Sequence, residues 1–199
     1  MIISVTSQQG ISITALVSGT GTLLQSILDN QDSHYHVNLV VADVECRALE
    51  RAQRAGIPTR VVEMEQDRDA WNVTLANAVA EANPDLVVSA GFMKILGEGF
   101  LSHFEGRTIN THPALLPSFP GAHAVRDALA YGVKVTGSTV HFVDKGVDTG
   151  EIIAQRAVDV LEDDDQASLH ERIKVVEREL IVEVLRSAAI SPTDRKVKF

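Results

Sequence analysis

The stretch Ile11-Ser12-Ile13-Thr14-Ala15-Leu16-Val17, followed by Ser18-Gly19-Thr20-Gly21-Thr22, decides the fold. Its first seven residues are mostly β-branched or apolar and predict a strand over Ile11–Val17. The glycines predict a tight turn, and Thr22–Asp29 has the pattern of a helix. A strand that enters a helix through a glycine turn is the first half of a βαβ unit, so the sequence predicts a parallel sheet.

The same alternation continues along the chain. Leu86–Ala90 is nearly all apolar, as expected of a strand that is covered on both faces. Further strands are predicted over Val37–Ala42, Arg60–Val62, Val135–Val143 and Glu151–Val160, and further helices over Cys46–Ala55, Arg68–Ala82, Gly121–Tyr131 and Gln166–Arg186. We therefore predict an α/β fold, a single domain with a mostly parallel twisted sheet flanked by helices and a more antiparallel late edge. Ligands should lie at the carboxyl ends of the strands.

The composition indicates one soluble globular domain. The chain has 199 residues, of which 45% are hydrophobic and 23% charged, which is too apolar for intrinsic disorder and enough to bury a core. We predict a domain over 13–190, an N-terminal extension over 1–12 and a polar C-terminal tail over 191–199. The formal charge of -9 disfavours a general nucleic-acid binder, because affinity for a phosphate backbone needs clustered cations.

Cysteine usage and apolar patterning predict a cytoplasmic protein. Cys46 is the single cysteine, so neither an intrachain disulfide nor a cysteine-based zinc site can form, as is typical of a reducing compartment. The histidines lack the spacing of a metal site, and we expect no metal. The sequence contains no run of about 18 apolar residues, the length that a membrane-spanning helix needs. Residues 1–13 lack the basic start of a signal peptide.

The glycine turn after the first strand has two interpretations. Gly19 and Gly21 let the backbone turn tightly and let a ligand approach closely. The helix that follows begins with free N–H groups and the positive end of its dipole, which suit a phosphate. The turn lacks the lysine of a P-loop and the third glycine of the dinucleotide fingerprint. A plain turn and a phosphate site therefore both stay open.

The segment Asn110-Thr111-His112-Pro113 is the most informative for chemistry. In a strand, Asn110 and His112 point to the same face. Both side chains can donate a hydrogen bond, so the pair suits the oxyanion of an acyl transfer. A Gly-x-Ser-x-Gly motif is missing and Cys46 lies in a predicted helix, which disfavours a covalent mechanism. From the residues alone, a structural pair is as good an interpretation as a catalytic one.

Two carboxylates and one histidine are further candidates. Glu177 lies inside the apolar stripe of the predicted final helix, about 40° from Ile173. A carboxylate on a buried face needs a partner, and the alternative is a glutamate at the helix edge that reaches solvent. Asp148 lies in a glycine-containing loop, where a structural role is the usual one. His141, on a predicted strand, is a supporting candidate.

Several blocks of sequence carry a resemblance to a known family. They follow one another as Ser18-Gly19-Thr20-Gly21, Ala90–Leu96 (AGFMKIL), Asn110–Pro117 (NTHPALLP), Phe119–His123 (FPGAH), Gly137–Val143 (GSTVHFV) and Asp148-Thr149-Gly150. On these blocks the chain resembles the phosphoribosylglycinamide formyltransferases, folate-dependent enzymes of purine biosynthesis, from Ile13 to Arg186. The resemblance implies a Rossmann-like formyltransferase fold. It also implies direct formyl transfer, through a tetrahedral intermediate, from the co-substrate 10-formyltetrahydrofolate to the amine of glycinamide ribonucleotide.

The resemblance implies roles for individual residues. The catalytic residues are Asn110, His112 and Asp148. The substrate-binding residues are Gly21, Thr22, Leu23, Arg68 and Glu177, with the ligand of Arg68 left open, and the folate-binding residues are Met93, Lys94, Ile95, Leu96 and Asn110. Asp148 would favour the protonated ring of His112, Glu177 would meet the substrate amine, and Leu116–Pro117 would be a cis peptide.

The chain departs from the family pattern in two places. Its glycine loop has Thr20, Thr22 and Leu23 where Gly-Asn-Gly-Ser-Asn is commoner, so Leu23 removes any side-chain contact of the second asparagine. Lys94 stands where arginine is frequent. Backbone donors of the loop should survive these changes.

Rival functions are distinguished by the same residues. A formyltetrahydrofolate deformylase would use water as the acceptor and would need neither Glu177 nor a phosphate loop. A non-catalytic nucleotide-binding module would not need Asn110, His112 and Asp148 together. Methionyl-tRNA formyltransferase carries a further RNA-binding domain and a different sequence after Leu-Leu-Pro. The expected partners are small-molecule substrates, with no nucleic acid and no membrane, and monomer and homodimer are both open.

Overall fold

The structure is a computed structural model that describes residues 10–191, 193 and 196–199. Residues 1–9 of the predicted N-terminal extension, and 192, 194 and 195 of the predicted tail, lie outside the described residues. The strands are β1 (Ile11–Val17), β2 (Tyr35–Ala42), β3 (Thr59–Val61), β4 (Leu86–Ser89), β5 (Thr108–His112), β6 (Val135–Phe142), β7 (Ile152–Asp159), β8 (Ala189–Ile190) and β9 (Val197–Lys198). The helices are α1 (Thr22–Asp29), α2 (Arg47–Arg54), α3 (Arg68–Ala80), α4 (Glu98–Leu101), α5 (Ala124–Tyr131) and α6 (Gln166–Ser187).

Seven strands form the main sheet in the order β3-β2-β1-β4-β5-β6-β7. The first five of these run parallel to one another, and β6 and β7 extend the sheet with antiparallel pairing. The predicted α/β fold, with a mostly parallel sheet and an antiparallel late edge, is confirmed. The strand order reverses between β1 and β4, because β2 and β3 extend the sheet on one side and β5 on the other. Open α/β sheets bind ligands at such a switch point.

Helices cover both faces of the sheet. On one face, Leu24 and Ile27 of α1 and Leu180 and Val184 of α6 pack in a core that includes Ile109 of β5. On the other face, Trp71, Leu75 and Phe100 of α3 and α4 pack against residues of β1, β2 and β4. The strands between these layers are buried on both sides, which explains their continuous apolar sequence.

The register of β5 and β6 places polar side chains together. Asn110 pairs with His141, and His112 pairs with Thr139. Residues directly opposite one another in an antiparallel pair point to the same face, so His141 shares the face of Asn110 and His112. Thr111 lies between them and points to the other face, where Ile109 packs beneath α6.

Three short elements were not predicted from the sequence. The helix α4 has four residues, too few to show a helical period, and β8 and β9 pair over two residues each. Val197 is buried, so this part of the predicted tail packs on the domain. Among the described residues, no helix is long and apolar enough to cross a lipid bilayer.

The glycine turn after β1 is held by α2. Gly21 has a φ of 70° and is the N-cap of α1, and a Cβ there would lie 2.7 Å from the Cα and Cβ of Ala48. The Ala48 N–H donates to the Gly19 carbonyl at 3.1 Å. The missing side chain of Gly21 therefore serves the approach of α2, whereas a Cβ on Gly19 would meet no atom within 4 Å.

We expect Gly21→Ala to lower the free energy of unfolding by about 2 kcal/mol, because the left-handed backbone and the contact with Ala48 both disfavour a Cβ. The matched control is Gly19→Ala, which should change stability by less than about 0.5 kcal/mol. Urea unfolding followed by circular dichroism measures both. Equal effects of the two substitutions would contradict this account of the turn.

Candidate active site

Predicted site residues from three strands meet at one edge of the sheet. The glycine turn follows β1, the segment 91–97 follows β4, and Asn110 and His112 lie at the end of β5. The Met93 N–H donates to the Ser18 hydroxyl oxygen at 2.8 Å, which ties the second segment to the first. The carboxyl ends of parallel strands lie at this edge, so the chain order alone brings these segments together.

Asp148 joins the predicted catalytic side chains. Its Oδ2 accepts a hydrogen bond from the Gly121 N–H at 2.7 Å and lies 3.3 Å from Nδ1 of His112. Its Oδ1 lies 3.6 Å from Nε2 of His141. The structure thus brings Asn110, His112 and Asp148 together, with His141 as a fourth member.

Both ring nitrogens of His112 face oxygen acceptors. Nε2 is 2.8 Å from the Phe119 carbonyl oxygen, which can only accept, and Nδ1 faces Asp148. The arrangement accommodates a doubly protonated ring, which can donate to both oxygens. Phe119 and Asp148 both have a φ of 55°, a conformation that is uncommon outside glycine and that gathers at functional sites.

His141 has the opposite environment. Its Nδ1 is 2.8 Å from the Phe142 carbonyl oxygen, so Nδ1 carries the proton, and Nε2 is 3.4 Å from Nδ2 of Asn110. Burial lowers the pKa of His141, although its bond to the Phe142 carbonyl and the Asp148 charge oppose this. The neutral ring can accept from the Asn110 amide, so His141 fixes the orientation of Asn110 and leaves its second amide N–H free.

Glu177 lies beneath the other face of β5. Burial raises the pKa of its carboxyl group, and a hydrogen bond with the Thr111 side chain opposes the rise. Thr111 is itself buried. The predicted partner of this carboxylate is therefore supplied in part by the residue between Asn110 and His112, which the sequence analysis did not single out.

The helices α1 and α6 are neighbours at this edge. The Ser26 hydroxyl donates to the Arg178 carbonyl at 3.3 Å, one residue beyond Glu177. The first turn of α1 contains no acidic residue and no side-chain cap, so the N–H groups of Thr22 and Leu23 are available to an anion. The glycine turn and Glu177 thus border the same region.

The predicted folate-binding segment is half exposed. Met93 and Ile95 have 78% and 60% of their surface exposed, whereas Leu96 is buried. Lys94 Nζ lies 3.4 Å from the buried Asp43 carboxylate. Arg68 begins α3 on the surface, and its side chain forms no hydrogen bond or ion pair with any described residue, so the structure does not join it to the other site residues.

A cavity of about 800 Å³ lies beside the predicted site rather than within it. Its walls come from α4 and the residues after it, from both ends of the loop 143–151, from the start of β7 and from residues 196–199, and they include none of the predicted site residues. It shares with the predicted site only the loop that carries Asp148.

Two local features concern the sequence predictions directly. The peptide bond between Leu116 and Pro117 is cis, as the resemblance implies. In the part of the chain that the structure describes, no group of three or more His, Cys, Asp and Glu side chains could hold a metal ion.

The sequence makes His141 only a supporting candidate, because a strand pattern gives the face on which a residue lies but not the partner of its side chain.

Comparisons with known proteins identify the family of this chain. A family model described as formyl transferase matches residues 11–185. The chain is 56% identical over 181 residues to a Mycobacterium tuberculosis protein named phosphoribosylglycinamide formyltransferase, covering 89% of this chain and 84% of that protein.

Solved structures are similar over almost the whole chain. Glycinamide ribonucleotide transformylase 1 from Symbiobacterium toebii has a TM-score of 0.87 and 40% identity, covering 96% of this chain and 94% of that one. Phosphoribosylglycinamide formyltransferase from Streptococcus pneumoniae has a TM-score of 0.83 and 38% identity, covering 89% of this chain and 98% of that one. Motifs, site geometry and both kinds of similarity agree, and the chain belongs to the formyl transferase family.

Proposed function

We propose that this chain transfers the formyl group of 10-formyltetrahydrofolate to the amine of glycinamide ribonucleotide, as the names of its relatives suggest. The observation that carries the proposal is the grouping of Asn110, His112 and Asp148 at the end of β5, with His141 beside them. A binding module would not need this set of groups. The transfer is direct, because the group contains neither a serine nor a cysteine that could carry the formyl group.

Asn110 is the first donor to the formyl oxygen. One of its amide N–H groups is directed at Nε2 of His141, and the other is available to the oxygen as it gains charge. Donors that are fixed before the reaction stabilise such charge strongly, because no reorganisation is needed. The neutral state of His141 matters here, since a protonated ring could not accept from the amide.

His112 and Asp148 handle the second donor and the proton. His112 can shift its Nε2 proton from the Phe119 carbonyl to the formyl oxygen, while Asp148 balances the charge of the ring. The attacking amine must lose a proton, and Asp148 can take it through a water molecule. In this scheme the amine attacks the formyl carbon to form a tetrahedral intermediate, which collapses as the bond from that carbon to the folate nitrogen breaks. The proton lost by the amine ends on the folate nitrogen, so the step balances.

The ribonucleotide spans α1 and α6. Its phosphate is bound by N–H groups of Gly21, Thr22 and Leu23 at the start of α1, and its amine is met by the Glu177 carboxylate. Arg68 belongs to substrate binding, with its ligand undecided. The contact of Ser26 with Arg178 supports a single cleft for both ends of this substrate.

The folate co-substrate is bound along Met93, Lys94, Ile95 and Leu96, next to Asn110. The side chains of Met93 and Ile95 are exposed and offer apolar surface to the aromatic rings of a folate. The segment is therefore suited to this ligand. No metal takes part in the scheme.

The remaining assignments are proposals of the same kind. The transferring domain covers 13–190, with an extension over 1–12 and a tail over 191–199. We propose a cytoplasmic enzyme that binds small molecules only. Monomer and homodimer are both compatible with this function, and sedimentation velocity distinguishes them.

A two-arm assay tests the function. Purified protein is incubated with 10-formyltetrahydrofolate with and without glycinamide ribonucleotide, and both the loss of formyl-folate and the formylated product are measured. We expect turnover only with the ribonucleotide. Turnover without it, with release of formate, would show a deformylase instead.

We expect Asn110→Ala to lower kcat by about 10²–10³-fold, the usual effect of removing one oxyanion donor. Binding of the ribonucleotide should change much less, which calorimetry can show. Asn38→Ala, on β2 away from this edge, is the control and should keep full kcat. A near-normal kcat of Asn110→Ala would remove this residue from the mechanism.

We expect Glu177→Gln to weaken binding or turnover of the ribonucleotide at least about tenfold, because a charge-assisted hydrogen bond to the amine is lost. Folate affinity should stay the same. The control is Glu179→Gln, an exposed carboxylate on the same helix that pairs with Arg156, and it should leave both affinities unchanged.

The same variant should have a higher melting temperature at neutral pH. The pKa of Glu177 is raised by burial, so the folded state holds this proton more tightly than the unfolded chain. Stability therefore falls as pH rises above the ordinary glutamate range, and glutamine removes that fall. A lower melting temperature with unchanged ribonucleotide binding would make Glu177 a structural residue.

A further inference from the structure

Arg51 of α2 reaches over the glycine turn. Its Nε donates to the Thr20 carbonyl at 2.8 Å, and its Nη1 lies 3.0 Å from Oε1 of Gln25 on α1. Its Cδ would lie 3.2 Å from a Cβ on Gly21. The guanidinium group therefore lies beside the turn that leads into α1.

The charge of Arg51 is not balanced by a carboxylate. Across residues 10–191, 193 and 196–199, the Arg51 side chain forms no ion pair and no hydrogen bond beyond those to Thr20 and Gln25. Arg54, one turn away, pairs with Glu50 at 3.4 Å. A guanidinium has five N–H donors, so three of those of Arg51 have no acceptor among the described residues.

The loop itself lacks a charged or amide side chain that could bind a phosphate. Thr22 offers only a hydroxyl, and Leu23 is buried and apolar. Backbone N–H groups and the helix dipole attract an anion. The oxygen atoms of a phosphate dianion can accept further hydrogen bonds beyond those from the backbone. A planar guanidinium can bind two of these oxygens at once.

We infer that Arg51 is a phosphate-binding residue: it fixes the turn through Thr20 and presents its remaining N–H groups to the phosphate of the ribonucleotide. The inference rests on the proposed function, because the phosphate is that of the proposed substrate. Arg51 thereby determines specificity for the phosphorylated substrate over the same compound without phosphate. The side chain acts on binding and leaves the chemistry at Asn110 unaffected.

The test compares two ligands on three variants. Calorimetry and steady-state kinetics are carried out with glycinamide ribonucleotide and with the ribonucleoside that lacks the phosphate. Arg51→Gln should raise KM and Kd for the ribonucleotide at least about tenfold, with kcat nearly unchanged and the values for the ribonucleoside unaltered. Arg51→Met, which keeps the aliphatic stem over Gly21, should have the same selective effect and serves if the glutamine variant does not fold. Arg54→Gln is the control for loss of one positive charge on α2 and should change neither ligand.

The outcomes separate this inference from the proposed function. Equal weakening of both ligands, or weaker ribonucleotide binding with the salt dependence of the unmodified chain, would show that Arg51 only supports the turn. Unchanged ribonucleotide binding would show that it has no part in recognition. Either result overturns the inference while leaving formyl transfer by the unmodified chain in place. If the unmodified chain formylates neither ligand, the proposed function itself fails. Direct calorimetric titration with inorganic phosphate then still reports on Arg51, and equal dissociation constants for the unmodified chain and Arg51→Gln would overturn its role.

Discussion

The contact between Asp148 and the Gly121 N–H holds the site together. It joins two loops that lie far apart in sequence, one after β5 and one after β6, and it turns the carboxylate toward His112 and His141. Burial of a carboxylate disfavours its charge, and the Gly121 N–H and the His112 ring offset that cost. Asn110 and His112 are fixed by the sheet, so this contact is what aligns the loop-borne group with the strand-borne ones.

The sequence was sufficient for the sheet and its helices because each element has a local period. The alternation of apolar strands with helices gives the order of elements, and the parallel sheet follows from the spacing. Helix α4 could not be predicted, because a single helical turn is too short to show a periodic pattern of apolar residues. Glu177 was found because it interrupts an apolar stripe, which is again a local signal.

Partnerships between elements could not be predicted in the same way. His141 is thirty-one positions from Asn110, and only the register of β6 on β5 makes them partners. Arg51 lies on a short helix rich in charge, where one more arginine has no distinctive pattern. Arg68 shows the reverse case, because the resemblance selects it and the structure leaves its side chain on the surface.

Thr111 and Glu177 show how stability is exchanged for function at this site. A glutamine or an apolar residue at 177 would avoid the desolvation that raises the carboxyl pKa. The Thr111 hydrogen bond reduces this penalty without removing it, so the carboxylate can still ionise when an amine is near. Natural proteins commonly accept such a loss where a binding site needs a charge.

The overall charge places a further constraint on recognition. The chain carries a formal charge of -9, so at long range its field repels an anionic ribonucleotide and an anionic folate. At physiological ionic strength this field is screened within about 8 Å, and the contacts that decide affinity must act at shorter range. Two features meet this requirement: the start of α1, which has no side-chain cap, and the guanidinium of Arg51, which pairs with no carboxylate among the described residues. Both place positive charge at one point of an acidic surface. Selectivity for small phosphorylated ligands over nucleic acids follows from the same contrast, since a polyanion would meet the acidic surface around the site as well as the cationic point within it.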